Sequence, residues 1–274
     1  MDLPRDRVDL WLTRVPVAGE IPSAFGRWLS IDERGRIDAL LRPTSRRQRL
    51  IAYAARRAVL SFYTPCDPSA WRFVDSGDTR SELLSAPGSS PLCVSLSHTK
   101  GLVAVAVTQT ADVGTDVECI DPRRRVAALA EHCFAREEIT ALRAAAPEAR
   151  PALFATIWTL KESYLKARGV GIWAGVDLQA CRFELAADSR TVAFHPGPET
   201  EDRPDEWRFF ALQPTPCHRA AVAVRGAGAR SPVLRAFALA DALDVFRSES
   251  GRYATTRLFP SWDSCPEEGR QWTT

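Results

Sequence analysis

Two short segments limit this chain more than anything else in it: Val113-Gly114-Thr115-Asp116-Val117-Glu118, and Trp158-Thr159-Leu160-Lys161-Glu162-Ser163-Tyr164-Leu165-Lys166. In the first, acidic and apolar residues alternate, which predicts a strand with Asp116 and Glu118 leaving the same face. In the second, Leu153, Ile157, Leu160 and Tyr164 form one stripe at helical spacing. Pro151 stands near the first turn, and Gly169 and Gly171 follow the last. Trp158, Glu162 and Lys166 share a face of that helix, and Lys161 lies about 100° round it. A strand with two carboxylates and a helix with a third point to an α+β chain whose acids converge on a cation.

The rest of the chain fits that class. Residues 45–62, RRQRLIAYAARRAVLSFY, read as a basic amphipathic helix. Gly, Ser and Pro crowd Asp75 to Pro91 and predict a loop. The β-rich runs Leu92 to Ser97 and Leu102 to Val107 then flank His98. Phe134-Ala135-Arg136-Glu137-Glu138 opens a helix toward Ala145. Val176 to Glu184, Trp207 to Leu212 and Ala220 to Val224 alternate as strands of an antiparallel sheet. This order predicts two similar α+β halves, residues 1–110 and 111–225, the second carrying the acidic strand and the W-x-x-K-E helix. Residues 226–274 form a C-terminal extension with no assigned role and one expected helix at Val233 to Phe246.

Composition removes several function classes. With 274 residues and 45% hydrophobic content the chain can bury a core. The net charge of +2, from 36 basic and 34 acidic side chains, is too balanced for a sequence-independent nucleic-acid binder. Met1 to Leu10 mixes Asp and Arg, and no apolar run is long enough to span a bilayer, so neither a signal peptide nor a membrane role is expected. Seven widely spaced cysteines without C-x-x-C suggest no zinc site and no disulfide framework, which fits a reducing cytoplasm. The only three lysines, Lys100, Lys161 and Lys166, all fall in the segments that carry the candidate chemistry.

Asp116 and Glu118 suit Mg²⁺, a hard ion that takes one or two carboxylates together with water and substrate phosphates. Each element also has a plainer reading. A lone D-x-E describes a solvated strand edge, Glu162 and Lys166 a surface ion pair, His98 a satisfied buried histidine, Trp158 core packing, and Arg46, Arg47 and Arg49 a solvated run.

The combination is more specific. Ser97-His98-Thr99, Gly114-Thr115-Asp116-Val117-Glu118, Phe134-x-x-x-Glu138 and Trp158-x-x-Lys161-Glu162-Ser163-Tyr164-x-Lys166 occur in this order. The series resembles the Sfp-type 4′-phosphopantetheinyl transferases over roughly residues 45–225. The resemblance implies a pseudo-twofold pair of α+β halves with the active site in the cleft between them. It also implies Mg²⁺-dependent transfer of the phosphopantetheine arm of coenzyme A to a serine of an acyl, peptidyl or aryl carrier protein, releasing adenosine 3′,5′-bisphosphate. Carried over by motif, Asp116, Glu118 and Glu162 hold the metal, and Glu162 and Lys166 are catalytic. His98, Ser97, Lys100, Arg49 and Lys166 bind coenzyme A.

The chain departs from that pattern in having no G-K-P upstream of His98, Ser95 where asparagine is frequent, and Thr115 in place of an aliphatic residue. A noncatalytic carrier- or nucleotide-binding module on the same fold is the alternative. A nucleic-acid binder using Arg46 to Arg57 or Arg123-Arg124-Arg125 lacks interleaved aromatics. Arg123 to Arg125 is the expected docking patch for an acidic carrier, and the chain is expected to be a monomer.

Overall fold

The computed structural model describes residues 3–75, 81–85, 92–109, 111–122, 126–170, 176–186, 192–226 and 232–239. Of residues 76–91, which stand in place of G-K-P and were expected as loop, only 81–85 are described, and they form a strand; the Arg123 to Arg125 patch and Gly171 lie outside the described residues. In chain order the elements are β1 (Arg7–Arg14), α1 (Ser23–Trp28), α2 (Ile31–Asp38), α3 (Pro43–Tyr63), β2 (Arg72–Asp75), β3 (Ser81–Ser85), β4 (Cys93–Thr99), β5 (Leu102–Thr108) and β6 (Asp112–Cys119). There follow α4 (Ala127–Cys133), α5 (Arg136–Ala144), α6 (Arg150–Arg168), β7 (Arg182–Leu185), β8 (Val192–His195), β9 (Trp207–Thr215), β10 (His218–Arg225) and β11 (Val233–Ala238). The class is α+β.

One sheet runs β11-β1-β5-β4 and a second, antiparallel throughout, runs β6-β10-β9; β2–β3 and β7–β8 are separate hairpins. β5 reads LVAVAVT and is buried at every position, as a strand covered on both faces must be. Its Leu102, Ala104 and Ala106 join Val8, Leu10 and Leu12 of β1 in a core shared with Val113 and Val117 of β6 and Val222 and Val224 of β10. Val103, Val105 and Val107 face the other way, into a core with α3. Ala221 and Ala223 of β10 likewise turn toward α6, among Trp158, Leu160 and Tyr164. Helix, sheet, sheet and helix therefore stack in that order.

Four expectations are corrected. The α3 arginines do not make a uniformly basic face: Arg56 and Arg57 are fully buried, donating from Nη2 to Glu33 Oε1 (2.9 Å) and Oε2 (2.6 Å). Glu33 also closes a capping box with Ser30 at the start of α2. A nucleic-acid reading that needs Arg56 and Arg57 at the surface fails there. The strand expected from Val176 begins only at Arg182, because Asp177 Oδ1 accepts the N–H groups of Gln179 and Ala180 and turns the chain.

The helix expected from Val233 is instead β11 over Val233–Ala238, paired parallel to β1 from Arg7↔Val233 to Leu12↔Ala238. Phe237 stacks on Trp11 at 4.6 Å, a long-range contact that local periodicity does not encode. Residues 240–246 of that expected helix lie outside the described ones. Finally, Cys217 is disulfide-bonded, whereas the other described cysteines, Cys66, Cys93, Cys119, Cys133 and Cys181, are in the thiol form. No helix among the described residues is long and apolar enough to cross a membrane.

Candidate active site

The site forms where the edge strands of the two sheets, β4 and β6, meet. They share no main-chain ladder; hydroxyls at alternate positions of β4 replace one. Ser95 Oγ accepts from Thr115 N at 2.9 Å, Ser97 Oγ from Val117 N at 3.3 Å, and Thr99 Oγ1 from Cys119 N at 3.1 Å. Unpaired edge amides are thus satisfied without fusing the sheets. Thr115, where an aliphatic residue is usual, donates from Oγ1 to the Ala221 carbonyl at 2.9 Å and ties β6 to β10.

On its other side β6 lies directly on α6. A Cβ at Gly114 would stand 1.9 Å from the Ser163 carbonyl oxygen and 2.5 Å from Ala167 N. That contact sets Asp116 against the helix. Lys166 Nζ donates to Asp116 Oδ1 at 2.7 Å, and Ser97 Oγ donates to the same oxygen at 2.7 Å. Asp116 Oδ2 is buried with no hydrogen-bond partner. Glu162, one helical turn before Lys166, likewise holds Oε1 buried and unpartnered. Burial, then the Asp116 charge, push its carboxyl up to about 7, with Lys166 opposing and Glu118 adding a little.

Glu118 sits half-buried near the end of β6, in register with Arg219 of β10. A small crevice of about 10 Å³ lies beside it, walled by Val126, Pro151 and Phe154. Asp116, Glu162 and Lys166 are therefore brought together, and Glu118 is within electrostatic reach. No group of three or more His, Cys, Asp or Glu side chains among the described residues is gathered closely enough to hold a metal ion. Gathered anions repel, and Lys166 already neutralises Asp116. The donors present still fit Mg²⁺: two buried carboxylate oxygens lack partners, and this ion needs only one or two carboxylates when phosphates and water supply the rest.

The other sequence candidates are placed differently from one another. His98, at the end of β4, faces Gln48 Nε2 through Nδ1 at 3.1 Å. Its pKa falls to about 4 through burial first, then the charges of Arg49 and Lys166, so the ring is neutral at pH 7. Arg49 donates to Tyr53 OH at 3.3 Å, and its Nε is buried without a hydrogen-bond partner. Arg46 and Arg47 are spent on backbone carbonyls: Arg46 on those of Asp38 and Leu40, Arg47 on those of Pro16, Ala18 and Gly19. Lys100 is exposed at the tip of the β4–β5 turn; burial pushes the nearby Cys119 thiol up, and the Lys100 charge opposes that shift without reversing it. Ser97 is buried and engaged with Asp116 and Val117.

The stretch containing β6, α5 and α6 matches the family model described as the 4′-phosphopantetheinyl transferase superfamily over residues 112–225. That stretch of the chain is similar to the superfamily. Among its relatives, the 4′-phosphopantetheinyl transferase HetI of Nostoc sp. (strain PCC 7120) is 29% identical over 232 residues, 83% of this chain and 92% of HetI. The protein slr0495 of Synechocystis sp. (strain PCC 6803) is 26% identical over 207 residues, 76% of this chain and 79% of slr0495. The 4′-phosphopantetheinyl transferase AcpT of Salmonella typhi is 35% identical over 91 residues, 33% of this chain and 47% of AcpT. HetI and AcpT are both named for one enzyme class, the 4′-phosphopantetheinyl transferases.

The matched region contains Asp116, Glu118, Glu162 and Lys166, while His98, Lys100 and Arg49 precede it. Its F-x-x-x-E and K-E motifs also hold a structural pair that sequence reasoning left without a role. Lys161 is fully buried, with Nζ 2.9 Å from Glu138 Oε2 and donating to the carbonyls of Leu178 (2.8 Å) and Cys181 (2.6 Å). Glu138 in turn accepts from Ala135 N and Phe183 N. The only sequence signal for this was the 100° offset of Lys161 from the Glu162 face. Replacing Lys161 by methionine strands a buried carboxylate and is expected to lower the unfolding free energy by about 3 kcal/mol. A urea titration reads it, and a loss under about 1 kcal/mol, the scale of an exposed pair, would contradict the assignment.

Proposed function

We propose that this protein is an Sfp-type transferase that moves the 4′-phosphopantetheine arm of coenzyme A onto a serine hydroxyl of an acyl, peptidyl or aryl carrier protein. The carrying observation is the pairing of Lys166 with Asp116 at 2.7 Å beside the unpartnered Glu162 carboxylate. In this reading the serine oxygen forms a bond to the phosphorus on the pantetheine side of the pyrophosphate. The bond from that phosphorus to the bridging oxygen breaks, and adenosine 3′,5′-bisphosphate leaves.

Asp116, Glu162 and Glu118 would hold Mg²⁺, which supplies positive charge against the pyrophosphate. Lys166 adds a second cation and holds Asp116 in place. Glu162, with its carboxyl near neutrality, holds the serine proton. Neutral His98, Arg49 and Lys100 form the phosphate-facing rim, and Ser97 orients Asp116. We read residues 1–110 and 111–225 as pseudo-twofold halves with the cleft at the β4–β6 junction. One long outer helix on each sheet supports this, α3 on one and α6 on the other. In the same reading 226–274 is an extension, and the protein acts as a cytoplasmic monomer.

Incubation with coenzyme A, Mg²⁺ and a panel of apo carrier proteins should add one phosphopantetheine to the matching carrier, visible by mass spectrometry. Chelation should stop it, and Asp116→Asn should slow it by about a hundredfold or more. Coenzyme A binding without transfer to any carrier would establish the alternative, a noncatalytic module.

A further inference from the structure

His218 belongs to none of the motifs above, yet it sits at the junction they build. It opens β10, is only 4% exposed, and lies in register with Cys119 of β6 and Thr215 of β9. Both ring nitrogens are engaged. Nε2 is 2.8 Å from the Lys100 carbonyl oxygen, which only accepts, so Nε2 carries the proton. Nδ1 is then the acceptor, 2.6 Å from Thr215 Oγ1. The partners fix one neutral tautomer, and burial lowers the pKa in the same sense.

The other end of this bond is the turn between β4 and β5. Gly101 holds it in the left-handed region at φ +82°, and the His218 ring lies 3.8 Å from where a Gly101 Cβ would stand. The Gly101 carbonyl accepts from Val15 N at 3.0 Å, just past β1. The turn is therefore held from both sheets, by the first through Val15 and by the second through His218. Immediately before it come His98, Thr99 and Lys100, with Thr99 bonded to Cys119. A buried apolar side chain would fill this position without donating to Lys100.

We propose that His218 is a positioning residue that clamps the β4–β5 turn onto the second sheet and so fixes His98 and Lys100 against the phosphates of coenzyme A. The inference rests on the transferase reading for its ligand, and its test separates the two. Adenosine 3′,5′-bisphosphate is titrated calorimetrically into wild type, His218→Phe and His218→Gln, and the KM for coenzyme A and kcat are measured with a carrier. His218→Phe removes the donor and keeps a planar aromatic ring, slightly larger than the imidazole. Its affinity and KM are expected to worsen about tenfold, the size of one lost hydrogen bond. Its kcat at saturating coenzyme A should change less than about threefold, because uniform binding is what is lost.

His218→Gln, whose amide can reach the Lys100 carbonyl, should recover most of the affinity. Wild-type affinity in His218→Phe, or equal weakness in His218→Gln, overturns the proposal. Should His218→Phe fail to fold, Thr215→Val removes the donor to Nδ1, along with the weaker 3.3 Å acceptor of Cys217 N, and is expected to weaken the nucleotide in the same direction; unchanged binding there overturns the proposal as well. Wild type that binds the bisphosphate but transfers nothing defeats the transferase reading alone, and wild type that does not bind it defeats both.

Discussion

Replacing Gly114 by alanine is expected to damage this protein more than any other single methyl group placed on β6. The added Cβ would meet the Ser163 carbonyl oxygen at 1.9 Å and Ala167 N at 2.5 Å, and both belong to the α6 backbone rather than to a side chain that could swing aside. For the first contact to relax to 3.0 Å, β6 and α6 must part by about 1.1 Å. Asp116, two residues along the same strand, would be carried away from Lys166, which it meets at 2.7 Å. Overpacking of this kind typically takes about 1–3 kcal/mol from stability, and the rigid partner places Gly114→Ala at the upper end. In molecules that remain folded, a displacement of about 1 Å at the reacting groups costs about a hundredfold in turnover. Chemical denaturation and kcat measured on the same preparation test both parts. A variant with native stability and native kcat would show that β6 is not seated on α6 in this way.

The acidic centre is legible in the sequence because two short periodicities specify it locally. The period of two puts Asp116 and Glu118 on one face of β6, and the i, i+4 spacing puts Glu162 and Lys166 on one face of α6. What the sequence conceals is which neighbour each side chain meets. Arg46, Arg47 and Arg49 read as one basic run, yet two of them hold carbonyls and only Arg49 turns to His98. Arg56 and Arg57 read as surface charge, and Glu33, distant in sequence, draws them into the core. Gln48 and His218 carry no local signal at all, since their importance lies in contacts across 50 and 118 residues. The same holds for Val233–Ala238: a helical pattern gave way to a strand because β1 offered an open edge. Local periodicity places a residue on a face, and tertiary packing decides what that face meets.

Glu162 sets function against stability, and Glu162→Gln should separate them. The folded carboxyl sits near 7 and its ordinary value is 4.5. Between those limits the unfolded chain has released the proton that the folded state still binds. Folding therefore loses stability as pH rises from about 4.5 through about 7, and the loss is complete above that. Glutamine has no charge to bury. With chelator at pH 8, Glu162→Gln is expected to raise the unfolding free energy by about 1–3 kcal/mol, after discounting the full value of the shift. At pH 4 the gain should vanish, because the native side chain is then protonated in both states.

Transfer activity should move oppositely, falling about a hundredfold or more, since the amide neither takes a proton nor offers a full charge to the cation. The wild-type rate should in turn rise with pH as Glu162 ionises. Higher Mg²⁺ should shift that limb downward, since a nearby cation favours the carboxylate. Equal stabilisation at pH 4 and pH 8, or a glutamine variant with undiminished turnover, would remove Glu162 from the reaction. Stabilisation confined to high pH with loss of transfer would show that this carboxylate is kept buried and under-satisfied at the expense of the fold, as an acid that must meet both a cation and a serine proton has to be.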